Sequence, residues 1–247
     1  MTNINLHIIE ECKSTNSSLI KLANEGYPEG YSLLSIRQTC GKGTRKRRWV
    51  SIPGNLFLST LIRPNVEAMK LSQISIVFGL SLFQFIKSLG ISKDKIRIKW
   101  PNDILIESKK VSGILVERFD NFYVIGVGLN INFCPDEKML GIQTTCLSNF
   151  INTNELKLSN LSSSLLNIFY KNYNIWLSDF LNPFLNQINS NLAFLNSKAN
   201  FNDNNIVKTG KVIGINSDGN LKILLNNNKH LYITSSEAIL NTGDICS

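Results

Sequence analysis

The chain has 247 residues, of which 43% are hydrophobic and 18% are charged. This balance is typical of a globular protein and excludes a disordered chain, and the length allows one large domain with a smaller one attached. Lysine and arginine outnumber aspartate and glutamate by 26 to 18, which gives a net charge of +8. An anionic partner is therefore expected, although charge alone does not distinguish nucleic acid, nucleotides and acidic proteins.

The cysteines and the apolar segments indicate the cellular location. Five cysteines are scattered along the sequence without a Cys-x-x-Cys pair, so neither a disulfide framework nor a zinc site is expected. The first residues, MTNINLHIIE, lack the features of a signal peptide, and the longest apolar segment, Ile74 to Ile86, is too short to span a bilayer. We therefore expect a cytoplasmic protein with reduced thiols and no membrane contact.

The first part of the chain alternates strand and helix signals. INLHIIE predicts a strand, and STNSSLIKLANEG predicts a helix that ends at Gly26. Two further strand-like segments, YSLLSIRQ and NLFLSTLIR, flank a basic loop at residues 38–49. This loop is therefore expected to connect two strands of one sheet, where binding loops are common.

The middle and the end of the chain complete the predicted elements. Apolar residues at helical spacing predict a long helix from Ala68 to Leu89 and a second helical region over about 155–195. Between them, KIRIKWPNDILIES, KKVSGILVERF and NFYVIGVGLNINF predict an antiparallel meander. The tail segments IVKTGKVIGI, NLKILL and KHLYITSSEAIL predict a small β-barrel or β-sandwich domain.

The basic loop QTCGKGTRKRRW, Gln38 to Trp49, combines glycines, which admit close backbone approach, with four consecutive cations. It is not a P-loop, because Gly43 follows the Gly-Lys pair where serine or threonine is required, and Ile36 holds the place of the upstream glycine. It also lacks the third glycine of the dinucleotide fingerprint, since Lys46 stands there. By itself the run Arg45 to Arg48 is equally typical of a solvated loop tip and of an anion-binding site.

Three further segments carry residues suited to a ligand site. KWPND, Lys99 to Asp103, places a lysine at a strand end before a turn, although a plain strand exit explains it equally well. Gly113 lies inside the apolar strand KKVSGILVE, which indicates that something approaches its backbone closely. GVGLNIN, Gly126 to Asn132, has two strand glycines that ordinary bulges also explain.

In their order and spacing, the segments STN (Ser14 to Asn16), QTCGKGTRKRRW, KWPND, KVSGILVE and GVGLNIN resemble the motifs of the biotin protein ligases, and the resemblance covers nearly the whole chain. These enzymes attach biotin to the carrier domains of carboxylases. The resemblance implies an α+β fold over residues 1–200, with a mixed, largely antiparallel sheet covered by helices, similar to class II aminoacyl-tRNA synthetases. For residues 201–247 it implies a small β-barrel similar to Src-homology-3 domains.

The resemblance also implies an activity with its cofactors and partners. In that family the carboxylate of biotin attacks the α-phosphate of ATP in the presence of Mg²⁺, which yields biotinyl-5′-AMP. A lysine of a biotin carboxyl carrier domain, in acetyl-CoA carboxylase or a similar carboxylase, then displaces AMP. Members of the family differ in oligomeric state, so both a monomer and a homodimer stay open.

Site residues carry over from the family onto matching positions. The essential lysine of KWPND is Lys99, whose cation would stabilise charge on the phosphoryl oxygens. The residues expected to bind biotin are Ser14, Thr15, Asn16, Gln38, Gly41, Lys42, Gly43, Thr44, Lys99 and Gly113. The residues expected to bind ATP or the adenylate are Arg45, Arg47, Trp49, Asn102, Asp103 and Asn130, with Asp103 also as the metal ligand. Helix N-capping is an alternative role for Ser14 and Thr15, and Trp49 suits a core anchor as well as an apolar wall.

The basic loop departs from the family pattern Gly-Arg-Gly-Arg-Arg-Gly-Arg. Lys42 and Thr44 stand in place of arginines, and Lys46 stands in place of the third glycine. Lysine keeps the charge of arginine but not its planar pair of donors, and threonine keeps neither. Because the family arginine at position 44 is associated with retaining the adenylate, we expect weaker retention in this chain.

Two other functions stay open. A lipoate ligase or a related acyltransferase shares the fold, although Gln38 and the basic loop favour biotin. A nucleic-acid-binding protein would use the basic run and the net charge of +8 instead. The first strand begins close to Met1, so we expect no N-terminal helix-turn-helix domain and no sequence-specific DNA binding.

Overall fold

A seven-stranded sheet organises the first half of the chain in the computed structural model, which describes residues 3–119, 121–203, 206–235 and 239–242. Its strands are β1 (Asn5–Cys12), β2 (Tyr31–Gln38), β3 (Leu56–Ile62), β4 (Ile96–Lys99), β5 (Asp103–Ile106), β6 (Lys109–Arg118) and β7 (Tyr123–Leu129). They lie in the order β1-β2-β3-β7-β6-β5-β4, with β1 parallel to β2 and all other neighbours antiparallel. The predicted mixed, largely antiparallel sheet is confirmed.

Helices pack on both faces of this sheet. The α-helices are α1 (Thr15–Asn24), α2 (Ile74–Ser88), α3 (Glu137–Leu140), α4 (Leu158–Asp179) and α5 (Leu185–Ser190). Helices α2 and α4 form the main core with one face of the sheet. On the other face, Leu19 and Ala23 of α1 pack against Leu61 and Val124. Beyond α1, the part of that face around the glycines of β6 and β7 lies open and forms the candidate site.

The predicted helix from Ala68 and the predicted helical region over about 155–195 are both helical in the structure, but each is divided into more than one helix. The first residues of the segment predicted from Ala68 form a 3₁₀ helix, Ala68–Gln73, before α2 begins. The helix α4 ends at Asp179, because Phe180 has a φ of 53°, a left-handed conformation that a right-handed helix does not continue. Residues Lys70–Ser88 are long and apolar enough to cross a membrane, but 72% of this window is buried inside the protein, as in the core helix of a globular domain.

The C-terminal residues form a second sheet, which is antiparallel and five-stranded in the order β11-β10-β9-β8-β12. Its strands are β8 (Lys198–Asp203), β9 (Ile206–Ile215), β10 (Leu221–Leu225), β11 (His230–Ile233) and β12 (Ile239–Thr242). The predicted small β domain is confirmed, with β11 and β12 at the two edges of the sheet. Strand β8 was not predicted, because only Ala199 and Phe201 are buried in an otherwise polar segment. Residues 236–238 of the segment KHLYITSSEAIL lie outside the described residues.

Candidate active site

The basic loop, residues 38–49, folds over the open part of the seven-stranded sheet. Together they bound a cleft that is open to solvent, and the space within it, including open solvent, is about 450 Å³. The cleft is lined by the start of α1, the basic loop and the strands β5, β6 and β7. The lining residues are Ser14, Thr15, Asn16, Gln38, Lys42, Gly43, Thr44, Trp49, Asn102, Asp103, Lys110, Gly113, Ile114, Leu115, Gly126, Val127 and Gly128. Most of the predicted site residues are therefore brought together.

Glycines on β6 and β7 give the cleft its depth. A Cβ atom at Gly128 would overlap the Trp49 indole, and one at Gly113 would lie 3.0 Å from Trp49 Cζ3. A Cβ atom at Gly126 would overlap the amide of Asn16. These glycines are thus required by side chains of the protein itself, which lie directly against the strand backbones. The Trp49 indole forms a wall of the cleft, and its buried Nε1 lacks a hydrogen-bond partner within the part of the chain that the structure describes.

At one end of the cleft, Gln38 connects the end of β2 to the start of α1. Its Oε1 accepts hydrogen bonds from the Thr15 amide at 2.8 Å and from the Thr15 hydroxyl at 3.1 Å. Its Nε2 donates to Ser51 Oγ at 3.1 Å. Ser14 occupies the N-cap position of α1, but its hydroxyl makes no capping bond. The alternative role of Ser14 as a side-chain cap is therefore not realised, and Gln38 satisfies the free amide of Thr15 instead.

Ser59 on β3 extends this network beneath α1. Its Oγ lies 2.7 Å from Thr15 Oγ1 and 2.6 Å from Asn16 Oδ1. Asn16 Nδ2 in turn donates to Glu117 Oε2 at 2.8 Å. The sequence did not predict Ser59, because it reads as an ordinary residue of the strand NLFLSTLIR. This end of the cleft, which we call the polar network (Thr15, Asn16, Gln38, Ser59 and Glu117), is uncharged except for Glu117 and is held rigidly by its own hydrogen bonds.

At the other end of the cleft, Lys110 and Asp103 form an ion pair. Lys110 Nζ lies 2.7 Å from Asp103 Oδ1, and both side chains are mostly buried. The same ammonium lies 5.5 Å from the centroid of the Trp49 ring, within the range of a cation–π contact. Lys110 is therefore a fixed cation inside the cleft, where a developing negative charge would be stabilised most effectively.

The assignment of the catalytic lysine to Lys99 is not supported by the structure. Lys99 ends the edge strand β4 and does not line the cleft, and its Nζ lies 5.9 Å from the centroid of the Phe194 ring. Asp103 pairs with Lys99 across the hairpin, but the next strand, β6, lies between that hairpin and the glycines of β7. The lysine that faces the cleft is Lys110.

A register shift explains why the sequence did not identify Lys110. Regular alternation along β6 would place Lys110 and Gly113 on opposite faces of the sheet. The structure has an irregularity between Ile104 and Leu105 of β5, so that Ile104 pairs with Ser112 while Leu105 pairs with Lys110. The extra residue in β6 reverses the alternation and turns Lys110 to the face of the cleft.

The basic loop is only partly directed into the cleft. Lys42, Gly43 and Thr44 line it, and Lys42 Nζ lies 3.7 Å from Glu117 Oε1. Arg45 and Arg47 are exposed and do not line it, since Thr44–Lys46 forms a tight turn in which Arg45 has a φ of 57°. Arg45 and Arg47 therefore lie outside the cleft in this conformation of the loop, and their phosphate contacts stay a prediction.

Gly41 also lies outside the lining, for a different reason. A Cβ atom there would lie 2.6 Å from Ser51 Oγ and 2.7 Å from the Trp49 carbonyl oxygen. Because the loop returns directly over Gly41, this glycine is needed for the packing of the loop itself. The structure therefore does not place Gly41 against a biotin carboxylate.

The two predicted asparagines have different surroundings. Asn102 lines the cleft, and its Nδ2 donates to the Ile114 carbonyl at 3.0 Å. Asn130 lies outside the lining just after β7, and its Nδ2 donates to the Thr145 carbonyl at 3.0 Å. Its side chain attaches the segment around Thr145 to the sheet, so the predicted adenylate contact of Asn130 is not supported.

The described residues contain no group of three or more histidine, cysteine, aspartate or glutamate side chains that could hold a metal ion. Among the described residues, Asp103 is the one carboxylate that lines the cleft, and Glu117 of the polar network lies at the other end. Mg²⁺ in nucleotide sites is typically held by one or two carboxylates together with substrate phosphates and water, so Asp103 fits that kind of site and does not form a complete one.

Comparison with protein families and known proteins agrees with this arrangement. Residues 9–132 match the biotin/lipoate A/B protein ligase family, and residues 195–241 match the biotin protein ligase C-terminal domain. The bifunctional ligase/repressor BirA of Bacillus subtilis is 37% identical over 131 residues, which cover 50% of this chain and 39% of that protein. The biotin--[acetyl-CoA-carboxylase] ligase of Paracoccus denitrificans is 34% identical over 131 residues, 50% of this chain and 53% of that protein. The matches thus span about half the length of these relatives or less.

The similarity to solved structures extends over most of the chain. The biotin protein ligase of Aquifex aeolicus, in complex with biotin and ATP, superposes with a TM-score of 0.82 at 27% identity. The superposition covers 94% of this chain and 97% of that one. Both the sheet with its helices and the small C-terminal sheet are thus shared, and the chain belongs to the biotin/lipoate A/B protein ligase family.

Proposed function

We propose that the chain is an ATP-dependent biotin protein ligase, which forms biotinyl-5′-AMP and transfers the biotinyl group to a lysine of a carboxyl carrier domain. One observation carries the proposal: a single cleft joins the polar network to the Lys110–Asp103 ion pair. The first end suits a neutral ring with hydrogen-bonding groups, and the second suits phosphates. The match of residues 195–241 to the biotin protein ligase C-terminal domain supports biotin over lipoate.

The polar network fits the ureido ring of biotin. That ring is neutral and offers two N–H donors and one carbonyl acceptor, so it requires hydroxyl and amide partners rather than charge. Ser14 and Thr15 lie buried at the start of α1, and Gln38 lines the cleft beside them. Because Gln38 and Ser59 fix the orientations of these groups before a ligand arrives, the cost of ordering them on binding is small.

The ion-pair end fits the first half-reaction. The carboxylate oxygen of biotin attacks the α-phosphorus of ATP, the bond from that phosphorus to the bridging oxygen breaks, and pyrophosphate leaves. Negative charge increases on the phosphoryl oxygens in the transition state, and the ammonium of Lys110 is placed to stabilise it. Asp103 holds this ammonium in position and would bind Mg²⁺ together with the phosphates of the nucleotide. When bound, Mg²⁺ neutralises charge on the leaving pyrophosphate.

The second half-reaction requires an open approach to the same cleft. The amine of the acceptor lysine attacks the carbonyl carbon of the mixed anhydride, the bond from that carbon to the phosphate oxygen breaks, and AMP leaves. The amine loses a proton and an amide is formed. The cleft is open to solvent, which would let the acceptor lysine enter.

Biotin-dependent exchange of labelled pyrophosphate into ATP tests the proposal. With Mg²⁺ present, we expect the chain to catalyse this exchange with biotin and not with lipoate. Exchange with lipoate alone would assign the chain to the lipoate branch of the family. An absence of exchange with either acid, from a folded protein, would contradict the adenylation chemistry, and the basic loop would then be tested for nucleic-acid binding.

A further inference from the structure

The tryptophan of the KWPND segment contacts the C-terminal domain and not the cleft. Trp100 is only 9% exposed, and its Nε1 donates a hydrogen bond of 2.8 Å to the carbonyl oxygen of Gly219. Gly219 lies in the turn Asn216–Asn220 between β9 and β10. The proposed chemistry assigns no role to Trp100, although the two residues that follow Pro101 both line the cleft.

The turn between β9 and β10 packs directly against the first domain, at α2 and the residues just before it. Gly219 has a φ of +86°, and a Cβ atom there would lie 3.0 Å from Ile76 Cδ1 of α2. Gln73 Nε2 donates to the Ser217 carbonyl at 3.0 Å. Lys70 Nζ also pairs with Asp218 Oδ1 at 3.0 Å, but this pair is solvent-exposed and contributes little to holding the turn. The carbonyl that receives the Trp100 bond is therefore itself held in place.

The segment Trp100–Asp103 connects this turn to the ion-pair end of the cleft. The Pro101 carbonyl accepts a bond of 2.7 Å from Ser75 Oγ at the start of α2. The Asn102 carbonyl accepts from the Ile114 amide at 2.8 Å, and Asp103 pairs with Lys110 at 2.7 Å. Because Asn102 and Asp103 follow Trp100 by only two and three residues in the chain, a shift of Trp100 is transmitted directly to them.

We propose that Trp100 is a positioning residue through which the C-terminal domain sets the geometry of Asn102, Asp103 and Lys110. This proposal rests on the proposed function for its effect on the reaction. Trp100 acts through its neighbours in the chain and does not touch the substrates. The polar network is built from α1, β2, β3 and β6 and not from the Trp100–Asp103 segment, so we expect KM for biotin to be unaffected.

Trp100→Phe tests the proposal in pyrophosphate exchange, because phenylalanine keeps an aromatic ring and removes the N–H donor. We expect kcat/KM for ATP to fall about 5- to 20-fold, the range for loss of one buried hydrogen bond, while KM for biotin changes less than about twofold. The matched control is Lys70→Ala, which removes the exposed ion pair of the same turn and leaves Trp100 untouched. It should behave as the wild type does. An equal rise in KM for both substrates in Trp100→Phe, or no change in either kcat or KM for ATP, would overturn the proposal.

Amide hydrogen exchange provides a readout that does not depend on activity. In Trp100→Phe the Ile114 amide, which is bonded to Asn102, should exchange faster, while the Thr15 amide at the polar network should be unchanged. Unchanged protection of Ile114 would overturn the positioning role even in an active enzyme. If the wild type showed no exchange of pyrophosphate into ATP, the proposed function would be wrong. The rate of hydrogen exchange at the Ile114 amide in Trp100→Phe would still test the positioning role of Trp100. If Trp100→Phe does not fold, the same measurements are made on Gly219→Ala, which displaces the same turn from its other side.

Discussion

The polar network and the basic loop bound the same cleft but differ in how they are held. Thr15, Asn16 and Ser59 are buried, and their polar groups are joined by bonds of 2.6–3.1 Å. In the basic loop, Arg45 and Lys46 are exposed and have φ values of 57° and 60°. A left-handed conformation is unfavourable for residues with a Cβ atom, so a change in the conformation of the loop would relieve backbone strain at these two residues. The residues of the polar network do not have this conformation.

This difference indicates that the polar network and the basic loop have different roles in the proposed reaction. Under the proposed function, the preformed network would recognise the small acid, and the loop would supply cations to the phosphates after rearranging over the nucleotide. In that account the Lys110–Asp103 ion pair is the only part of the phosphate end, within the described residues, that is already in place without a ligand. Substitutions that disturb the network or the glycine strands should therefore have larger effects than substitutions in the loop.

Gly128→Ala should have the largest effect, because a Cβ atom there overlaps Trp49 and displaces the wall shared by both ends. We expect pyrophosphate exchange to fall about 100-fold, the loss associated with a misplacement of about 1 Å in an active site. Gly79→Ala is the matched control, because its Cβ atom would meet only Ile114 and Ile98, at 3.7 Å. It should leave exchange unchanged. Equal activity of the two variants would show that Trp49 has no defined place in the site.

Ser59→Ala should weaken the network without touching the loop. It removes the hydroxyl between Thr15 and Asn16 and leaves their buried groups underpaired. A lost buried hydrogen bond of this kind costs about 1–3 kcal/mol, so KM for biotin should rise about tenfold while KM for ATP stays constant. Steady-state kinetics with each substrate varied in turn measure the two constants. A rise confined to ATP would contradict the division of the cleft.

Thr44→Arg should increase retention of the adenylate by adding a cation that lines the cleft. A charge-assisted bond to the phosphate should slow the release of biotinyl-5′-AMP about tenfold. Release is measured by rapid dilution of the preformed complex in the absence of an acceptor. If Thr44→Arg leaves the rate of release unchanged, the expectation of weak retention from Thr44 is wrong.

Lys46→Gly should have the smallest effect and concerns the loop alone. Glycine adopts a φ of 60° without strain, so the variant should be more stable by about 1 kcal/mol. Arg47→Gly is the contrasting control, because Arg47 has an ordinary φ of −68° and glycine there only adds freedom to the unfolded chain. Thermal unfolding should show opposite signs for the two variants. The same sign for both would mean that the turn stores no strain.

Local sequence patterns predicted the elements well and the site in large part. The segments YSLLSIRQ and IVKTGKVIGI match β2 and β9 residue for residue, because their alternation and their turns are local signals. The cleft residues on the basic loop and at the start of α1 followed from ordered motifs. Lys110 did not, because its face depends on a register shift between β5 and β6 that single-strand alternation does not reveal.

The roles of Ser59 and Trp100 could not be predicted for a related reason. Each acts through a partner that is distant in sequence, Asn16 for Ser59 and Gly219 for Trp100. A pattern within one segment cannot specify such a partner, since only the packing of the two sheets and the helices brings the atoms together. The same limit explains why Lys99 and Lys110 were not distinguished from the sequence.

The most direct test of the account compares Lys110→Ala with Lys99→Ala in biotin-dependent pyrophosphate exchange with Mg²⁺ present. Both variants remove one lysine of the same neighbourhood, but only Lys110 lines the cleft and pairs with Asp103. We expect Lys110→Ala to lower kcat at least about 100-fold, whereas Lys99→Ala should retain most of the activity. Loss of exchange in Lys99→Ala together with retention in Lys110→Ala would contradict the account.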